Sequence, residues 1–241
     1  MRDTLVVIPT YNEIENIEAI IKATFEVSSY VDILIVDDNS PDKTAQKVLA
    51  LQEVYPKRLF LENRKGKEGL GTAYIHGFKW ALERQYEYIC EMDADFSHNP
   101  NDLVRLHHMC HENGADLTIG SRYKSGVNVV NWPMNRVLLS YFASKYVQII
   151  TRMNISDATA GFICYKRKVL EAINFDKIQF IGYAFQIEMK FKAYKKGFKI
   201  EEVPVIFTDR TRGTSKMDSS IISEAVFGVI LMKIKSLFTK Q

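Results

Sequence analysis

The sequence predicts an α/β fold with a mostly parallel sheet and helices on both of its faces. The first observation is that short apolar runs rich in Val and Ile alternate with longer amphipathic stretches through the first half of the chain. The second is that acidic residues, Asp37 with Asp38 and Asp93 with Asp95, come at the ends of two of those runs. Alternating strands and helices favour a parallel sheet, in which ligands bind beyond the carboxyl ends of the strands.

Each element is predicted from its apolar period and from the capping residues beside it. Runs of mostly β-branched and aromatic residues are predicted to be strands. These runs are Thr4 to Pro9, Val31 to Asp38, Arg58 to Glu62, Tyr86 to Asp93, Asp116 to Ser121, 161–167 and Ile200 to Phe207. Stretches with helical spacing and polar or glycine caps are predicted to be helices. They begin at Glu13, Asp42, Gly71 and about Asn99, and later cover Val137 to Ile150, Ala184 to Lys196 and the stretch from Ser219.

The chain is predicted to form one domain over residues 1–241, because no linker, internal repeat or low-complexity tract divides it. The core of that domain is expected to cover about 1–217, followed by an amphipathic helix over about 218–238. The stretch from Arg122 to Arg136 contains Gly, Asn, Trp and Pro and is predicted to be a loop.

Composition narrows the class of protein. With 46% hydrophobic residues, 25% charged residues and a net charge of +3, the chain has the balance of a globular domain and no Lys- or Arg-rich block for nucleic acid. Cys90, Cys110 and Cys164 lack CxxC spacing, so we expect buried thiols in a reducing compartment, the cytoplasm. The N-terminus has no signal-peptide pattern, and the apolar run Ala225 to Met232 is shorter than the ~20 residues of a membrane-spanning helix.

The "DAD" motif places Asp93 and Asp95 on the same side of an extended backbone. Two neighbouring carboxylates repel each other unless positive charge offsets the repulsion, and a Mg²⁺ or Mn²⁺ that also binds a diphosphate would do so. Ser97 is a candidate for a direct or water-mediated metal ligand. The alternative is a solvated turn in which Asp93 ends the strand and Asp95 caps a helix.

Two other strand ends carry residues suited to a nucleotide. Tyr11, in "VIPTYNE", offers a flat face for a base after the turn fixed by Pro9. Asp37 and Asp38, in "IVDDNSPD", are positioned to accept hydrogen bonds from a ribose or base. Each motif alone is compatible with capping chemistry. Together with the "DAD" motif they indicate a base, a ribose and a metal-bound diphosphate in one crevice.

A basic loop near the end of the chain is a candidate phosphate site. Arg210, Arg212 and Lys216 flank a glycine and a serine, and Arg forks suit bidentate phosphate binding. The alternative is a solvated surface loop. His107 and His111 share a helix face, as in some zinc sites, but a solvated face is the favoured interpretation. The glycines of 65–74 lack phosphate-loop spacing and indicate close helix packing or a mobile lid.

These motifs together resemble the family 2 glycosyltransferases of GT-A fold, and within them the dolichyl-phosphate mannosyltransferase branch. The matching motifs are, in order, "VIPTYNE", "VDDNSPD", "KEGLGTAY", "MDADFSHNP", "GSRY", "NWP" and "RTRGTSK". The resemblance implies a guanosine pocket lined by Pro9, Tyr11, Glu13, Val36 and Asp38, a nucleotide-sugar site that includes Ala94, a metal on Asp93 and Asp95, and phosphates bound by Arg122, Arg210 and Lys216. It also implies that Asp93, Asp95, Arg122, Arg210 and Lys216 form the catalytic set. Ser97 stands where some relatives carry Gln.

The resemblance implies an inverting, metal-dependent transfer of mannose from GDP-mannose to dolichyl or polyprenyl phosphate, giving a β-linked mannosyl phospholipid. A phosphate nucleophile is already anionic near neutral pH, since its second pKa is ~6, and needs no general base. Three alternatives stay open. They are a lipid-phosphate glucosyltransferase using UDP-glucose, transfer to a glycan hydroxyl with Glu188 as base, and a catalytically silent sugar-nucleotide binding subunit of a membrane complex.

A lipid acceptor requires access to a membrane. Trp132 is a candidate interfacial anchor before an apolar helix, and the C-terminal stretch pairs apolar residues with Lys233 and Lys235. Ordinary core helices are the equally weighted alternative. We therefore expect a protein peripheral on the cytoplasmic face of a membrane, held by the bilayer surface or by a small membrane anchor subunit.

Overall fold

The computed structural model describes residues 3–182, 184–210 and 220–238, and within the last range the side chains of 227–236. The predicted α/β fold is confirmed. The strands are β1 Thr4–Thr10, β2 Val31–Asp37, β3 Leu59–Asn63, β4 Tyr88–Glu91, β5 Leu117–Ser121, β6 Val129–Val130, β7 Ile163–Lys166, β8 Ile200–Pro204 and β9 Phe207–Thr208. The α-helices are α1 Ile17–Val27, α2 Thr44–Gln52, α3 Leu70–Glu83, α4 Asp102–His111, α5 Met134–Thr151, α6 Arg167–Ala172, α7 Ala184–Lys195 and α8 Ser220–Phe238. A 3₁₀ turn covers Phe175–Lys177.

The main sheet has the strand order β3-β2-β1-β4-β7-β5-β8, and β7 alone among these seven described strands is antiparallel to its neighbours. From β1 the chain builds outward to β2 and β3 and then returns to place β4 on the other side of β1. The strand order therefore reverses between β1 and β4, which is where an open α/β sheet forms a crevice at its carboxyl edge. The register pairs Thr10 with Asp37 at that edge.

The sheet is covered on both faces. Along β1, Leu5 and Val7 belong to one buried apolar cluster, whereas Val6 and Ile8 belong to a second one on the opposite face. Side chains of a strand alternate between faces, so a strand buried on both faces must be apolar throughout. Gly77 of α3 packs directly on Val7, and a Cβ at that glycine would overlap the valine side chain. This close approach seats α3 on β1.

Several boundaries differ from the sequence predictions. The first helix begins at Ile17 instead of Glu13, because the backbone carbonyl of Glu13 accepts hydrogen bonds in a preceding turn. The strand expected up to Asp93 ends at Glu91, which leaves the "DAD" motif in the turn after β4. The strand expected over Ile200 to Phe207 is divided between β8 and β9, and β9 pairs with β6 inside the predicted loop. Ser219, the expected start of the last helix, lies outside the described residues.

The last helix packs against α5 and α7. In the part of the chain that the structure describes, no helix combines the length and the apolar character needed to cross a membrane.

Candidate active site

The "DAD" motif forms a compact acidic turn directly after β4. Asp95 is buried, its Oδ1 accepts a hydrogen bond from the Ser97 backbone N–H at 3.0 Å, and its Oδ2 lies 3.0 Å from Nη2 of Arg210. Asp93 is half-buried and accepts a hydrogen bond from the Tyr74 hydroxyl at 3.3 Å. The structure thus brings together three of the residues assigned by sequence to metal and phosphate binding.

The two carboxylates have different protonation tendencies. Burial, and next to it the charge of Asp95, raise the pKa of Asp93 to about 7. Burial also acts against ionisation of Asp95, but hydrogen bonding by Ser97 and the charge of Arg210 hold the pKa of that carboxyl below its usual value. The turn therefore concentrates negative charge that the guanidinium of Arg210 offsets in part, and this excess of negative charge favours the binding of a further cation.

The residues present fit a divalent cation that shares its coordination with a substrate. The Ser97 Oγ is buried and has no hydrogen-bond partner among the described residues, so a polar atom is left beside the two carboxylates. Within residues 3–182, 184–210 and 220–238, no cluster of three or more His, Cys, Asp or Glu side chains is found that would enclose a metal by itself. Mg²⁺ and similar ions commonly use one or two carboxylates together with substrate phosphates and water.

His98 shapes the acidic turn and was not singled out from the sequence. Its ring stacks on Phe162 with centroids 4.8 Å apart, and burial lowers the pKa of His98 to about 4, so the imidazole is neutral at pH 7. The neutral Nδ1 accepts a hydrogen bond from the Asp93 backbone N–H at 3.2 Å. This contact fixes the backbone on which both aspartates depend.

The two aspartates at the end of β2, Asp37 and Asp38, have different partners. Asp37 is fully buried and accepts hydrogen bonds from the Thr10 hydroxyl at 2.8 Å and from the backbone and side chain of Ser40. It therefore joins β1 to β2 and holds the following loop. Asp38 instead pairs with Arg64, whose Nε lies 2.6 Å from Oδ1 of the carboxylate. Arg64 is a member of the candidate site that sequence analysis missed.

The other predicted nucleotide contacts lie along the same edge. Pro9 and Val36 are register partners at the ends of β1 and β2, but the Val36 side chain is fully buried in the core, so only its backbone faces the edge. Tyr11 is half-buried, and Nζ of Lys67 lies 5.5 Å from its ring centroid. The charge of Glu13 contributes to the raised pKa of Asp93, which sets the two carboxylates within electrostatic reach of each other. Ala94 is buried between the two aspartates of the motif.

Arg122 lies in a buried ion pair. Its Nε and Nη2 contact the two carboxylate oxygens of Asp157 at 2.7 and 2.6 Å, and its Nη2 also donates to the Thr159 hydroxyl. The guanidinium carbon lies 5.5 Å from the Trp132 ring centroid and 5.6 Å from that of Phe207. The contact with Asp157, 35 residues away, was not foreseen, and phosphate binding by Arg122 stays a prediction.

The basic loop is described only at its beginning. β9 runs beside the acidic turn, because the Thr208 backbone N–H donates to the Ser97 carbonyl at 3.3 Å. This contact places Arg210 beside Asp95. Arg212 and Lys216, predicted to bind phosphate, lie outside the described residues.

Both carboxylate oxygens of Glu188, the candidate general base for a hydroxyl acceptor, contact other groups of the protein. It is 1% exposed, its Oε2 accepts hydrogen bonds from the backbone N–H groups of Gln179 and Phe180, and its Oε1 lies 3.3 Å from Nζ of Lys192. The two histidines considered as zinc ligands also make contacts within the protein. His111 forms a hydrogen bond with the Tyr88 hydroxyl, and its ring stacks on that of His107. Both lie at the opposite end of β4 from Asp93.

A buried charged network lies beneath the site. Glu91, the last residue of β4, accepts hydrogen bonds from Tyr165 and Gln186. Nζ of Lys190 donates to the carbonyls of Ala158 and Ala160, in the segment that also carries Asp157. Burial raises the pKa of Glu91 to about 8 and lowers that of Lys190 to about 8. This network holds the two backbone segments that position the acidic turn and Arg122.

Comparison with known proteins agrees with this architecture. Residues 5–173 match the family described as Glycosyl transferase family 2. A polyprenol monophosphomannose synthase from Mycolicibacterium smegmatis is 46% identical over 226 residues, which cover 94% of this chain and 85% of the relative. An undecaprenyl-phosphate mannosyltransferase from Micrococcus luteus is 42% identical over 225 residues, covering 93% of this chain and 91% of the relative.

Solved structures share the fold at much lower identity. A glucosyl-3-phosphoglycerate synthase from Mycobacterium tuberculosis, in complex with Mn²⁺, UDP and glucosyl-3-phosphoglycerate, superposes with a TM-score of 0.69 at 16% identity over 100% of this chain and 81% of that one. The mannosyltransferase PcManGT from Pyrobaculum calidifontis, in complex with GDP-Man and Mn²⁺, gives a TM-score of 0.62 at 17% identity over 99% of this chain and 65% of that one. The predicted GT-A fold is thereby confirmed.

Proposed function

Because the chain belongs to glycosyltransferase family 2 and is thus a glycosyltransferase, we propose that it transfers mannose from GDP-mannose to a polyprenyl or dolichyl phosphate. The observation that carries this proposal is the acidic turn of Asp93 and Asp95 with Arg210 at the strand-order reversal of the sheet. The names of two relatives at 42 and 46% identity support mannose as the sugar and a polyprenyl phosphate as its acceptor. The GDP-Man complex of the Pyrobaculum structure supports the choice of donor.

The nucleotide end of the donor is proposed to lie at the ends of β1 and β2. Asp38 would accept hydrogen bonds from the ribose or base, and Arg64 orients that carboxylate through a 2.6 Å contact. Tyr11 would offer its ring to the base, with Pro9, Glu13 and the Val36 backbone as neighbours. Lys67 is near enough to Tyr11 to cover the same position.

The diphosphate is proposed to lie at the acidic turn. Asp93 and Asp95 would hold a Mg²⁺ or Mn²⁺, with Ser97 directly or through water, and the bound cation supplies positive charge toward the leaving diphosphate. Arg210 adds a fixed guanidinium beside Asp95, where negative charge grows as the sugar departs. Arg122 and Lys216 are proposed as further phosphate contacts. Ala94 completes the backbone between the two aspartates.

The lipid phosphate is proposed to attack the sugar without a general base. Its oxygen forms a bond to the anomeric carbon while the bond from that carbon to the diphosphate breaks, so that GDP leaves with the electron pair. One displacement inverts the anomeric centre and gives a β-mannosyl phosphate. A hydroxyl acceptor would need a base, and the engagement of Glu188 with two backbone N–H groups and Lys192 favours the phosphate acceptor instead.

Access to the lipid is proposed to come from α5 and α8. The two helices pack side by side and each leaves large apolar side chains exposed. On α5 these include Leu138, Leu139, Phe142 and Ile149, and among the described side chains of α8 they include Phe227, Ile230, Leu231 and Ile234. We call these eight side chains the apolar face. An apolar face of this kind fits the boundary layer of a bilayer, and the three buried thiols fit its cytoplasmic side. A small membrane anchor subunit is the alternative partner.

The test is transfer of radiolabelled sugar to polyprenyl phosphate in the presence of Mg²⁺ or Mn²⁺. GDP-mannose and UDP-glucose are compared, with chelator and no-lipid controls. A chloroform-soluble, metal-dependent mannolipid that is labile to mild acid is expected. Lipid product from UDP-glucose alone would contradict the donor assignment, and nucleotide binding without any lipid product would favour the silent binding subunit.

A further inference from the structure

The segment 178–182 lies against the start of α3. The Gly71 backbone N–H donates to the Ile181 carbonyl at 2.8 Å. Gly69, which has a φ of +104°, approaches the same residue so closely that a Cβ would lie 3.1 Å from the Ile181 carbonyl oxygen. The first turn of α3 therefore contacts Ile181 directly, and any movement of the segment 178–182 would displace that turn.

The side chain of Glu188 binds the backbone of this segment. One of its carboxylate oxygens, Oε2, accepts two backbone hydrogen bonds, at 2.8 Å from Gln179 and at 3.1 Å from Phe180. Hydrogen bonds to an ionised carboxylate are roughly twice as strong as neutral ones. The carboxylate is almost completely buried and has no part in the proposed chemistry. The Glu188 carboxylate therefore organises a loop and takes no part in the proposed reaction, so any effect it has on the candidate site must pass through that loop.

The start of α3 in turn touches both ends of the candidate donor site. Arg64 bonds the Thr72 hydroxyl at 2.7 Å through Nη1 and the Asp38 carboxylate at 2.6 Å through Nε. Two residues further along α3, the Tyr74 hydroxyl donates to Asp93 at 3.3 Å. A shift of the first turn of α3 would therefore displace contacts at the nucleotide end and at the diphosphate end together.

We infer that Glu188 is a positioning residue for the sugar-nucleotide donor, acting through the segment 178–182 on the first turn of α3. The inference rests on the proposed function for the assignment of Asp38 and Asp93 to the donor. Loss of the carboxylate charge weakens both backbone contacts, releases Ile181 and loosens the seat of α3. A displacement of about 1 Å far from the reacting atoms is enough to cost an enzyme up to about 10²-fold in rate.

The last helix holds the same segment from the other side. Gly228 of α8 packs on the Phe180 ring, and a Cβ there would lie 2.6 Å from Cε1 and Cζ of that ring. Nζ of Lys235 lies 2.7 Å from the Gln179 side-chain carbonyl. Substitution of Gly228 is thus a second way to disturb the segment without touching Glu188.

The experiment compares Glu188→Gln with Glu171→Gln. Glu171 of α6 is a half-exposed carboxylate that pairs with Arg167, so the same chemical change is made away from the segment. Calorimetry measures binding of GDP and of UDP with Mn²⁺, kinetics give the KM of donor and of lipid phosphate, and hydrogen exchange follows residues 69–74 and 178–182. For Glu188→Gln we expect roughly tenfold weaker binding of the nucleoside diphosphate, a matching rise in donor KM, an unchanged lipid KM and faster exchange in both segments.

Two results would overturn the inference. One is faster exchange confined to 178–182 with the exchange of 69–74 unchanged; the other is a lower Tm with wild-type nucleotide binding, which describes a purely structural residue. If Glu188→Gln fails to fold, Gly228→Ala carries the test with the same expected and contradicting results. Absence of mannose transfer by the wild-type protein would refute the proposed function separately, since nucleotide binding and hydrogen exchange are measured without a lipid acceptor.

Discussion

Arg210 and Asp95 form an ion pair in which Nη2 of the guanidinium lies 3.0 Å from Oδ2 of the carboxylate. The pair joins the second residue after β9 to the turn that follows β4, 115 positions earlier in the chain. Asp95 is buried, so the guanidinium stabilises a carboxylate that would otherwise be poorly solvated. The same contact means that Arg210 and a metal ion would share one ligand.

Arg210→Gln is expected to separate these two effects. Removal of the guanidinium leaves Oδ2 of Asp95 to the metal, so the Mn²⁺ concentration for half-maximal activity should fall. Turnover should also fall, by about 10²-fold, because fixed positive charge at the leaving diphosphate is lost. Metal titrations of initial rate measure both quantities. Arg105→Gln, which removes an exposed partner of Asp102, is the control. An unchanged turnover would contradict the role assigned to Arg210.

Asp95→Asn is expected to abolish metal-dependent transfer, with a loss of at least about 10²-fold, since an amide is a poorer ligand for a hard cation. Excess Mn²⁺ should restore part of the rate if the residue acts through the metal. Asp176→Asn, an exposed partner of Lys79, should behave like the wild-type protein. Full activity of Asp95→Asn with chelator present would refute the metal assignment.

Asp157→Asn is expected to destabilise the protein by ~3–5 kcal/mol, because it breaks a buried ion pair by removing the negative charge that contacts Arg122. Asp209→Asn breaks a similar pair with Arg136, but those side chains are 27 and 30% exposed and the pair should contribute only ~0–1 kcal/mol. Urea unfolding followed by circular dichroism measures both free energies. Equal losses for the two variants would contradict the view that burial decides the difference.

Leu139→Asp is expected to weaken binding to anionic lipid vesicles by at least tenfold, since burial of a leucine is worth ~1.5–3 kcal/mol. Leu49→Asp makes the same change at a similarly exposed leucine of α2, outside the apolar face, and should leave vesicle binding intact. Flotation with vesicles gives both affinities. Binding that is unaffected by Leu139→Asp would favour a membrane anchor subunit over the bilayer itself.

Much of the fold was predictable because it is written in local patterns. The strands β1, β2 and β4 are mostly apolar runs that end in Thr10, Asp37 and Glu91, and polar residues at those ends mark the candidate binding edge. The "DAD" motif was recognised for the same reason. Its residues are neighbours in sequence, and their proximity needs no tertiary contact.

The partners of the site residues were not predictable from local patterns. Arg64 stands 26 residues from Asp38, and Asp157 stands 35 residues from Arg122. A single sequence does not reveal which distant charged residues form ion pairs. The pairing depends on strand order and on the insertion of β7 in antiparallel orientation between β4 and β5. The hydrogen bonds that Glu188 accepts from the backbone of Gln179 and Phe180 were not predictable for the same reason.

The sequence by itself therefore determined the class of fold, and it predicted the edge of the candidate site and its acidic residues, since each follows from hydrophobic period and residue type. Only the tertiary structure decided how those residues are charged and held. Burial raises the pKa of Asp93, whereas hydrogen bonding by Ser97 and the charge of Arg210 lower that of Asp95. Arg210 comes from a distant part of the chain, and the Glu188 carboxylate holds a loop through its backbone N–H groups. These properties depend on desolvation and on contacts between distant segments, and both arise only when the chain is folded.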